Sequence, residues 1–268
     1  MQVFECRGKR YYNDKKYIMG ILNVTPDSFS DGGQFFAVEE AVRQALKMQQ
    51  DGADYIDIGA VSTRPGASFV SEQEEADRLL PVLQALNGKL HIPVSVDTFR
   101  PTVAELALQN GADIINHVGD FSEEMAKVVC QYRAGWIAVH TVGAAANEVE
   151  YPNGVIAAVQ SFINDYYNKA TAAGVLPQQL MFDPGFGFAK NTQQNKELLD
   201  NLEKLNTHGS FLLTALSRKR FVGELTNASH PADRLQGTLL FDKIATEKGS
   251  CIVRVHDVKE HKAMFERI

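Results

Sequence analysis

The stretch YIMGILNVTPDSFSDGG, residues 17–33, contains a short apolar run and the polar loop that follows it. The run ends at Leu22 and is typical of a strand buried on both faces. Asn23 is the last residue of this predicted strand, and residues 25–33 form a loop rich in Ser, Asp and Gly. A buried strand that ends in an amide and opens into such a loop indicates a ligand site, although a simple surface connection has the same composition.

A local pattern recurs along the chain, in which a helical stretch ends at Gly and a short apolar run follows. Such runs follow Gly52, Gly111, Gly135 and Gly249. Gly ends a helix readily because it adopts the left-handed backbone conformation without steric cost. The runs are short and rich in Val and Ile, which is typical of strands covered on both faces. This is the helix-to-strand half of a repeated β-α-β unit.

Eight strand–helix units are predicted when the rest of the chain is included. The strands are predicted at 17–23, 55–59, 93–97, 113–116, 136–140, 180–183, 211–215 and 251–256. The helices are predicted at 38–50, 72–86, 101–109, 122–132, 155–172, 192–205, 232–247 and 259–265. Eight such units in 268 residues, with no linker between them, indicate an α/β fold, a (β/α)8 TIM barrel in one domain over residues 1–268. A doubly wound open sheet is the alternative that the pattern leaves open.

Composition excludes several classes of protein. A net charge of −6 argues against a general nucleic-acid binder, and no apolar run reaches the roughly 18 residues of a membrane span. The segment that begins at Met1 is polar, so no signal peptide is expected. Cys6, Cys130 and Cys251 have neither metal-site nor disulfide spacing, and Cys251 is predicted to be a buried thiol. We therefore expect a cytoplasmic protein.

Polar or ionisable side chains stand at the ends of nearly all the predicted strands. They are Asn23, Asp97, Asn116, His140, Asp183, Arg254 and His256, together with Ser62, Thr63 and Arg64 after Gly59 and Ser217, Arg218 and Lys219 after Ala215. The carboxyl ends of barrel strands converge where barrel active sites lie, so we expect these groups to share one site. Taken singly, each has a structural alternative: a turn or helix cap for an Asp or Asn, a surface position for Lys219, and a structural role for His256.

The types of these residues indicate the ligand. Asp97, Asn116 and Asp183 provide acceptors for a ligand rich in N–H groups, such as a purine or a pterin. Positive charge from Arg64, Lys219, Arg254 and His256 suits an anion, and Asn23 offers an oxygen to a Mg²⁺ held mainly by phosphate. The sequence has no Walker or GxGxxG motif and no Cys/His metal cluster, so ATP, dinucleotides and a zinc-type site are not expected.

Six motifs then identify a family resemblance. Two are long: Ile18-Met-Gly-Ile-Leu-Asn-Val-Thr-Pro-Asp-Ser-Phe-Ser-Asp-Gly-Gly33 and Asp57-Ile-Gly-Ala-Val-Ser-Thr-Arg-Pro-Gly66. The others are Ser95-Val-Asp-Thr98, Asp183-Pro-Gly-Phe-Gly-Phe188, Ser217-Arg-Lys219 and Arg254-Val-His-Asp257. In this order they resemble the dihydropteroate synthase family over nearly the whole chain.

The resemblance implies a fold, an activity and a set of partners. It implies a homodimeric TIM barrel, a transferase of folate biosynthesis and a target of sulfonamides. The reaction would join 6-hydroxymethyl-7,8-dihydropterin diphosphate to 4-aminobenzoate, giving dihydropteroate and diphosphate, with Mg²⁺ as cofactor.

The same resemblance assigns roles to residues of this chain. It implies that the pterin is held by Asp97, Asn116, Asp183 and Lys219, and that diphosphate and metal are held by Asn23, Arg254 and His256, with Thr63 nearby. Phe188 and Lys219 would border the aminobenzoate. Two loops would close over the reacting atoms, the first with Phe29, Ser30 and Asp31 and the second with Thr63, Arg64 and Pro65. The implied catalytic residues are Asp31, Arg64 and Lys219.

Several positions depart from the family pattern. They are Ala60 and Val61 in the second signature, His117 after the fourth strand, Thr141 after the fifth, and Arg220 after the lysine. Because side chains alternate along a strand, we expect His117 to point away from the pterin, although its unperturbed pKa of about 6.5 would let it gain a proton near neutrality. Arg220 either pairs with the aminobenzoate carboxylate or faces solvent.

Two alternative functions are left open by these departures. One is a pterin-binding paralogue with little synthase activity. The other is a methyltransferase of the same barrel class, which passes a methyl group from methyltetrahydrofolate to a corrinoid protein. That methyltransferase has no need of an anion site, so the motifs at 217–219 and 254–257 favour the synthase.

Overall fold

Eight parallel strands close into a barrel in the computed structural model, which describes residues 1–25, 33–61, 70–143 and 148–267. An antiparallel hairpin of β1 (Val3–Cys6) and β2 (Lys9–Tyr12) precedes them. The barrel strands are β3 (Tyr17–Asn23), β4 (Tyr55–Gly59), β5 (Val94–Asp97), β6 (Ile114–Val118), β7 (Gly135–Val139), β8 (Leu180–Asp183), β9 (Phe211–Thr214) and β10 (Ile252–Val255). They neighbour one another in chain order, and β10 pairs with β3 to close the ring.

Helices connect the strands on the outside of the barrel. Those in the described part of the chain are α1 (Gly33–Gln50), α2 (Glu72–Leu86), α3 (Pro101–Gln109), α4 (Glu123–Tyr132), α5 (Val155–Ala172), α6 (Thr192–Asp200), α7 (Arg220–Thr226), α8 (Leu235–Glu247) and α9 (Val258–Phe265). Short 3-10 helices lie at Pro177–Gln179, Leu202–Leu205 and Pro231–Arg234. None of the helices described here is long and apolar enough to cross a membrane.

The predicted (β/α)8 barrel is confirmed, and the open-sheet alternative is wrong because β3 and β10 are hydrogen-bonded to each other. Most predicted elements agree with the structure to within a residue or two at each end. Two predicted helices are interrupted: the α-helix expected over 192–205 stops at Asp200, and the one expected over 232–247 starts at Leu235. In both places a 3-10 turn replaces one helical end, as is common at helix termini. Helix α7 and the N-terminal hairpin were not predicted.

Local sequence signals mark the starts of two helices. Ser122 precedes α4, and its hydroxyl accepts a hydrogen bond from the Met125 N–H at 3.1 Å. Pro101 occupies the first turn of α3, where its missing N–H would have no helical partner. These caps fix where each helix leaves the strand before it.

The N-terminal hairpin closes the end of the barrel opposite the predicted site. Phe4 and Cys6 are completely buried and pack in one cluster with Tyr17, Tyr55 and other inward residues of the barrel. Gly135 is required there, because a Cβ at this position would lie 2.4 Å from Phe4 Cζ. With this end plugged, the carboxyl ends of the strands form the open end, here called the mouth. Cys251 is buried beside this cluster, as predicted.

Candidate active site

Three predicted site residues lie at one level of the mouth. The strand register aligns Asn23 with Gly59, Gly59 with Asp97, and Asp97 with Asn116. Gly59 has no side chain, and the point where its Cβ would stand is 3.8 Å from Asn23 Oδ1 and 3.9 Å from Asp97 Oδ2. Both oxygens therefore flank the bare backbone of Gly59.

A buried carboxylate one layer deeper ties these strands together. Asp57 is completely buried, and its Oδ2 accepts from Arg254 Nε at 2.6 Å and from Asn116 Nδ2 at 3.1 Å. Arg254 also reaches Asp97 Oδ2 at 3.4 Å. Because the Asn116 amide donates to Asp57, its Oδ1 is left as an acceptor, and this buried oxygen has no hydrogen-bond partner among the described residues. The site thus presents an oriented acceptor to a ligand.

Asp57 is the site residue that sequence reasoning missed. It belongs to one of the quoted motifs, but the prediction took Gly59 as the polar end of its strand and gave Asp57 no role. The available signal was a carboxylate in the middle of the strand Tyr55–Gly59. A charge buried in a strand interior is costly unless it is paired, so it calls for a partner such as Arg254.

Burial and the neighbouring carboxylate of Asp57 raise the pKa of Asp97 to about 7, although Arg254 opposes that shift. Two carboxylates around one guanidinium carry a net negative charge, which disfavours ionisation of the more exposed one. With its pKa at about 7, Asp97 is therefore poised between protonation states near neutrality.

Asp183 ends β8 and is buried at the mouth. Its Oδ1 accepts from the Gly185 N–H at 2.7 Å, so the turn-forming role considered from the sequence is real for this oxygen. Burial raises the pKa of Asp183, and the Lys219 ammonium is the largest influence opposing that rise. The same carboxylate thus shapes the loop after β8 and faces a cation of the site.

Lys219 and Phe188, predicted to border one pocket, are in contact. Lys219 Nζ lies 4.7 Å from the centroid of the Phe188 ring and donates a hydrogen bond to the Phe186 carbonyl oxygen. Burial lowers the pKa of Lys219 to about 8. Its position directly before α7 is set by Arg218, a non-glycine residue at φ 58° whose guanidinium is bound to Asp257 at 2.5 and 3.0 Å.

His256 is held at the mouth by a serine of the 217–219 motif. Ser217 Oγ lies 2.9 Å from His256 Nδ1 and accepts from the His256 backbone N–H at 3.2 Å. Ser217 therefore orients the imidazole that follows β10. Because Arg254 lies two residues earlier on the same strand, both side chains face the inside of the barrel.

His140, expected to join the site, does not lie in the mouth. Val139 faces the interior, so His140 turns outward, where its ring is 5.1 Å from that of Phe162 and its Nδ1 is 2.9 Å from Lys190 Nζ. Burial and Lys190 lower the pKa of His140 to about 3. The prediction that it contributes to the site is wrong, because alternation along β7 decides its direction.

His117 points outward, as predicted from the same alternation. Its Nδ1 lies 2.9 Å from the Tyr166 hydroxyl, and its ring stacks on Trp136. Burial lowers the pKa of His117 to about 4, so the expectation that it could charge near neutrality is wrong. This departure from the family pattern lies behind the strand, away from the mouth.

Arg220 has the solvent-facing position considered from the sequence. Its side chain is 65% exposed and pairs with Glu148 and Glu224. Thr141, another departure, is half-buried, and its hydroxyl has no partner among the described residues. The remaining predicted residues lie outside the described part of the chain: Phe29, Ser30, Asp31, Ser62, Thr63, Arg64 and Pro65.

Comparison with known proteins agrees with this geometry. The sequence model of a family described as pterin binding enzyme matches residues 19–256. Dihydropteroate synthase from Synechocystis sp. is 44% identical over 253 residues, covering 92% of this chain and 87% of that protein. The Bacillus subtilis dihydropteroate synthase is 40% identical and covers 93% of this chain and 86% of its own.

Solved structures give the same match. Dihydropteroate synthase from Xanthomonas albilineans with 4-aminobenzoic acid superimposes with a TM-score of 0.91 at 38% identity, over 99% of this chain and 96% of that one. The Yersinia pestis dihydropteroate synthase with a sulfonamide drug complex has a TM-score of 0.89 at 37% identity, over 99% and 97%. Fold and site thus define a pterin-binding barrel enzyme. Within that class, the chain belongs to the dihydropteroate synthase family.

Proposed function

We propose that this chain condenses 6-hydroxymethyl-7,8-dihydropterin diphosphate with 4-aminobenzoate to form dihydropteroate and diphosphate. The observation that carries the proposal is the arrangement around Asp57, which leaves Asn116 Oδ1 and Asp97 as acceptors beside the Arg254 guanidinium. A ligand with several N–H groups and an attached anion matches this combination of acceptors and positive charge.

The pterin ring is held by hydrogen bonds of complementary direction. Asn116 Oδ1, Asp97 and Asp183 accept from ring and exocyclic N–H groups, and Lys219 donates to a ring acceptor. Lys219 Nζ also lies over the Phe188 ring, at 4.7 Å from its centroid, which forms a wall for the second substrate. A ring that lacks these N–H groups would leave buried carboxylates without partners, which costs about 1–3 kcal/mol for each polar group left unsatisfied.

The reaction breaks the bond between the pterin methylene carbon and the diphosphate oxygen and forms one between that carbon and the amine nitrogen. Negative charge grows on the departing diphosphate, and Arg254 and His256 lie at the strand end suited to stabilise it. The nucleophile is a neutral aromatic amine that loses one proton, so no strong base is required. Asp31, Thr63 and Arg64, on loops outside the described residues, are proposed to exclude water, which would otherwise compete for the methylene carbon.

Magnesium is a proposed cofactor of this site. Asn23 Oδ1 and Asp97 Oδ2 lie 3.8 and 3.9 Å from the point where a Gly59 Cβ would stand, and oxygen donors are what Mg²⁺ prefers. Among the described residues no group of three or more His, Cys, Asp or Glu could hold a metal alone. These donors fit an ion that takes its other ligands from substrate phosphate and water. When bound, the ion supplies positive charge to the leaving diphosphate, and Asn23 is the residue proposed to hold it.

We further propose that the protein acts as a cytoplasmic homodimer, with residues 1–268 forming one domain. Leu225 on α7 and Leu240 on α8 are 36% and 53% exposed, and these two helices pack against each other. Exposed leucines on adjacent helices supply an apolar surface of the kind that a second copy covers. Sulfonamides are proposed as inhibitors, since the Yersinia pestis relative was solved with such a drug.

The departures from the family pattern do not favour the alternative functions. His117 faces the helices and Arg220 faces solvent, so neither enters the mouth. Among the described residues, the carboxylates Asp97 and Asp183 and the cations Lys219 and Arg254 share the mouth, which supports turnover over a silent pterin-binding paralogue. The methyltransferase reaction has no departing anion for Arg254 and His256 to bind. The presence of both residues at one strand end therefore does not favour that alternative.

A turnover assay tests the proposal. The full chain is mixed with the pterin diphosphate and 4-aminobenzoate, and diphosphate release is followed with and without Mg²⁺. We expect release only when both substrates and Mg²⁺ are present. Release without aminobenzoate would indicate a hydrolase, and no release under any condition, with pterin binding retained, would indicate the paralogue.

A further inference from the structure

Lys190 is a buried cation to which the reaction described above assigns no role. It is 3% exposed and lies in the segment that connects β8 to α6. Its ammonium lies 2.9 Å from His140 Nδ1, donates to the Gly185 carbonyl oxygen at 2.9 Å, and donates to the Phe188 carbonyl oxygen at 3.1 Å. An ammonium has three N–H donors, so the three partners use them all.

Two of these partners, the carbonyl oxygens of Gly185 and Phe188, belong to the loop that carries the site. Residues 184–189 join Asp183 to Lys190, and two of their carbonyl oxygens point at the Lys190 ammonium. A Cβ at Gly185 would lie 1.8 Å from the His140 carbonyl oxygen, so the loop is packed directly against the end of β7. Lys190 and His140 therefore hold the loop against the end of β7, on the side away from the mouth.

The front of the same loop faces the substrates. The Gly185 N–H donates to Asp183, the Phe186 carbonyl oxygen accepts from Lys219, and the Phe188 ring lies under the Lys219 ammonium. Asp183 is held by its place at the end of β8 and by the Gly185 N–H. Phe188, farther along the loop, donates its N–H to the Gly185 carbonyl oxygen at 3.1 Å and accepts from Lys190 at its own carbonyl oxygen at 3.1 Å, while the neighbouring Gly187 and Ala189 are bound by Asn195 and Val149. Lys190 binds both carbonyl oxygens of this turn and so contributes directly to the position of Phe188.

The charge on Lys190 depends on pH near neutrality. Burial lowers the pKa of Lys190 to about 7, Asp183 opposes the shift, and Lys219 adds to it. The pKa of His140 is lowered by burial and by this lysine. When Lys190 is charged it can only donate, so His140 then accepts through Nδ1 and carries its proton on Nε2. The Tyr151 ring lies 6.0 Å away and completes the enclosure.

We propose that Lys190 is a positioning residue for the second substrate. By fastening the loop 184–189, it fixes Phe188 beneath Lys219 and so shapes the wall against which 4-aminobenzoate lies. It touches neither the pterin nor the reacting atoms. The inference rests on the proposed synthase function, and it predicts separate effects on the two substrates.

The test compares Lys190→Met with Lys196→Met. Methionine keeps the length of the apolar stem but has no donor, while Lys196 is an exposed lysine on α6 paired with Asp200. We expect Lys190→Met to lower kcat/KM for aminobenzoate by about tenfold to a hundredfold, because a substrate displaced by about 1 Å from its productive position loses rate on that scale. The dissociation constant of the pterin should change by less than about threefold, and Lys196→Met should match the parent in both.

A milder variant keeps the test informative if Lys190→Met does not fold. Lys190→Gln retains two donors and should show an intermediate loss confined to aminobenzoate. Calorimetry with each substrate separately reads the same split as binding, so it applies even if the parent shows no turnover, an outcome that would instead reject the synthase function. Equal losses for both substrates, or no loss in a folded variant, would overturn the proposal.

Discussion

At the scale of single residues, the mouth combines buried acceptors with buried cations. Asp183 serves two purposes with its two oxygens: Oδ1 accepts from the Gly185 N–H at 2.7 Å and the carboxylate as a whole faces the site. The Asp57 carboxylate similarly binds Arg254 and Asn116 through one oxygen. In each case a local hydrogen bond fixes the orientation of the side chain. The second oxygen of Asp183 and Oδ1 of Asn116 can then accept hydrogen bonds from a ligand.

The variant Asp183→Asn separates these two purposes. The amide oxygen of Asn can still accept from Gly185, so the loop should keep its shape, but the second position becomes a donor that faces the N–H groups of the pterin. We expect a loss of pterin affinity of about 1–3 kcal/mol with little change in thermal stability. Calorimetry measures the affinity, with Asp200→Asn on the exposed face of α6 as the control. Unchanged affinity would make Asp183 a turn residue only.

Lys219 gives the site a pH dependence of known sign. Burial lowers its pKa to about 8, so the ammonium is present below that pH and is lost above it. The affinity that Lys219 adds for the pterin should therefore disappear as the pH rises through about 8. We expect the ratio of the pterin dissociation constants of Lys219→Met and the parent to be large at about pH 7 and to approach unity at about pH 9.5. A ratio independent of pH would contradict this role.

Most residues of the mouth were predictable because motif and predicted strand end coincide at Asp97, Asp183 and Arg254, and because Asn116 ends a predicted strand. Two errors had a physical cause. His140 also ends a strand, but alternation along β7 sends it outward beside Lys190. Asp57 lies one layer below the strand ends, so a search confined to those ends passed over it. Pairing partners such as Arg254 for Asp57 become visible only once the strand register is known.

At the scale of elements, α8 and α9 are joined by a buried ion pair near the loop of Lys219. Asp242 and His261 are both completely buried, and His261 Nε2 lies 2.9 Å from Asp242 Oδ2. His261 Nδ1 lies 2.7 Å from the Asp257 carbonyl oxygen, which can only accept. With Asp242 ionised, both ring nitrogens donate and the ring is an imidazolium. Burial raises the pKa of Asp242, and its hydrogen bond with His261 opposes that rise. Burial acts to lower the pKa of His261, but Asp242 and Asp257 outweigh it and raise the pKa above its usual value.

The variant Asp242→Ala should destabilise the fold in a pH-dependent way. The folded-state pKa of His261 is raised, so the stability from this pair is fully present below its unfolded pKa of about 6.5 and is lost as pH rises through the folded value. Removing one partner of a buried pair costs about 3–5 kcal/mol, and we expect the cost at about pH 6 to exceed that at about pH 9. Urea unfolding checks this against Lys243→Met, which breaks an exposed pair on the same helix. The same cost at both values would mean that His261 is neutral.

Elements were predictable where periodicity is long, and not where it is short. Helix α2 over Glu72–Leu86 carries several turns of apolar repeat and was located to the residue. Helix α7 has seven residues and β2 is the polar strand Lys9–Tyr12, so neither displays a full period. The role of the hairpin follows from tertiary packing, since Phe4 is buried by inward residues of distant strands such as Phe211.

At the scale of the whole molecule, closure of the barrel brings the site residues together at one end. The helices outside the barrel carry the surface of the proposed dimer. The eight-unit count predicted closure from the sequence, because consecutive parallel strands with intervening helices and no linker have few other solutions. The surface of the proposed dimer was not predictable from periodicity. Leu240 shows why: it lies within an amphipathic helix, and only the structure reveals that it is 53% exposed.

The proposed dimer makes a specific prediction about that leucine. Leu240→Asp places a charge in the apolar surface of α7 and α8 and should shift the protein to a monomer. Leu106→Asp on α3, where the leucine is 37% exposed, should leave the mass unchanged. Light scattering after size exclusion measures both. A dimer that survives Leu240→Asp would place the interface elsewhere.

The central claim is that Asn116, Asp97 and Asp183 hold the pterin at the mouth of the barrel. A crystal structure of this protein with 7,8-dihydropteroate bound tests it most directly. We predict N–H groups of the pterin within hydrogen-bond distance of Asn116 Oδ1, Asp97 and Asp183, and the aryl ring against Phe188 and Lys219. A pterin ring bound outside the mouth, or one inside it that leaves Asn116 Oδ1 without a ligand contact, would contradict the account.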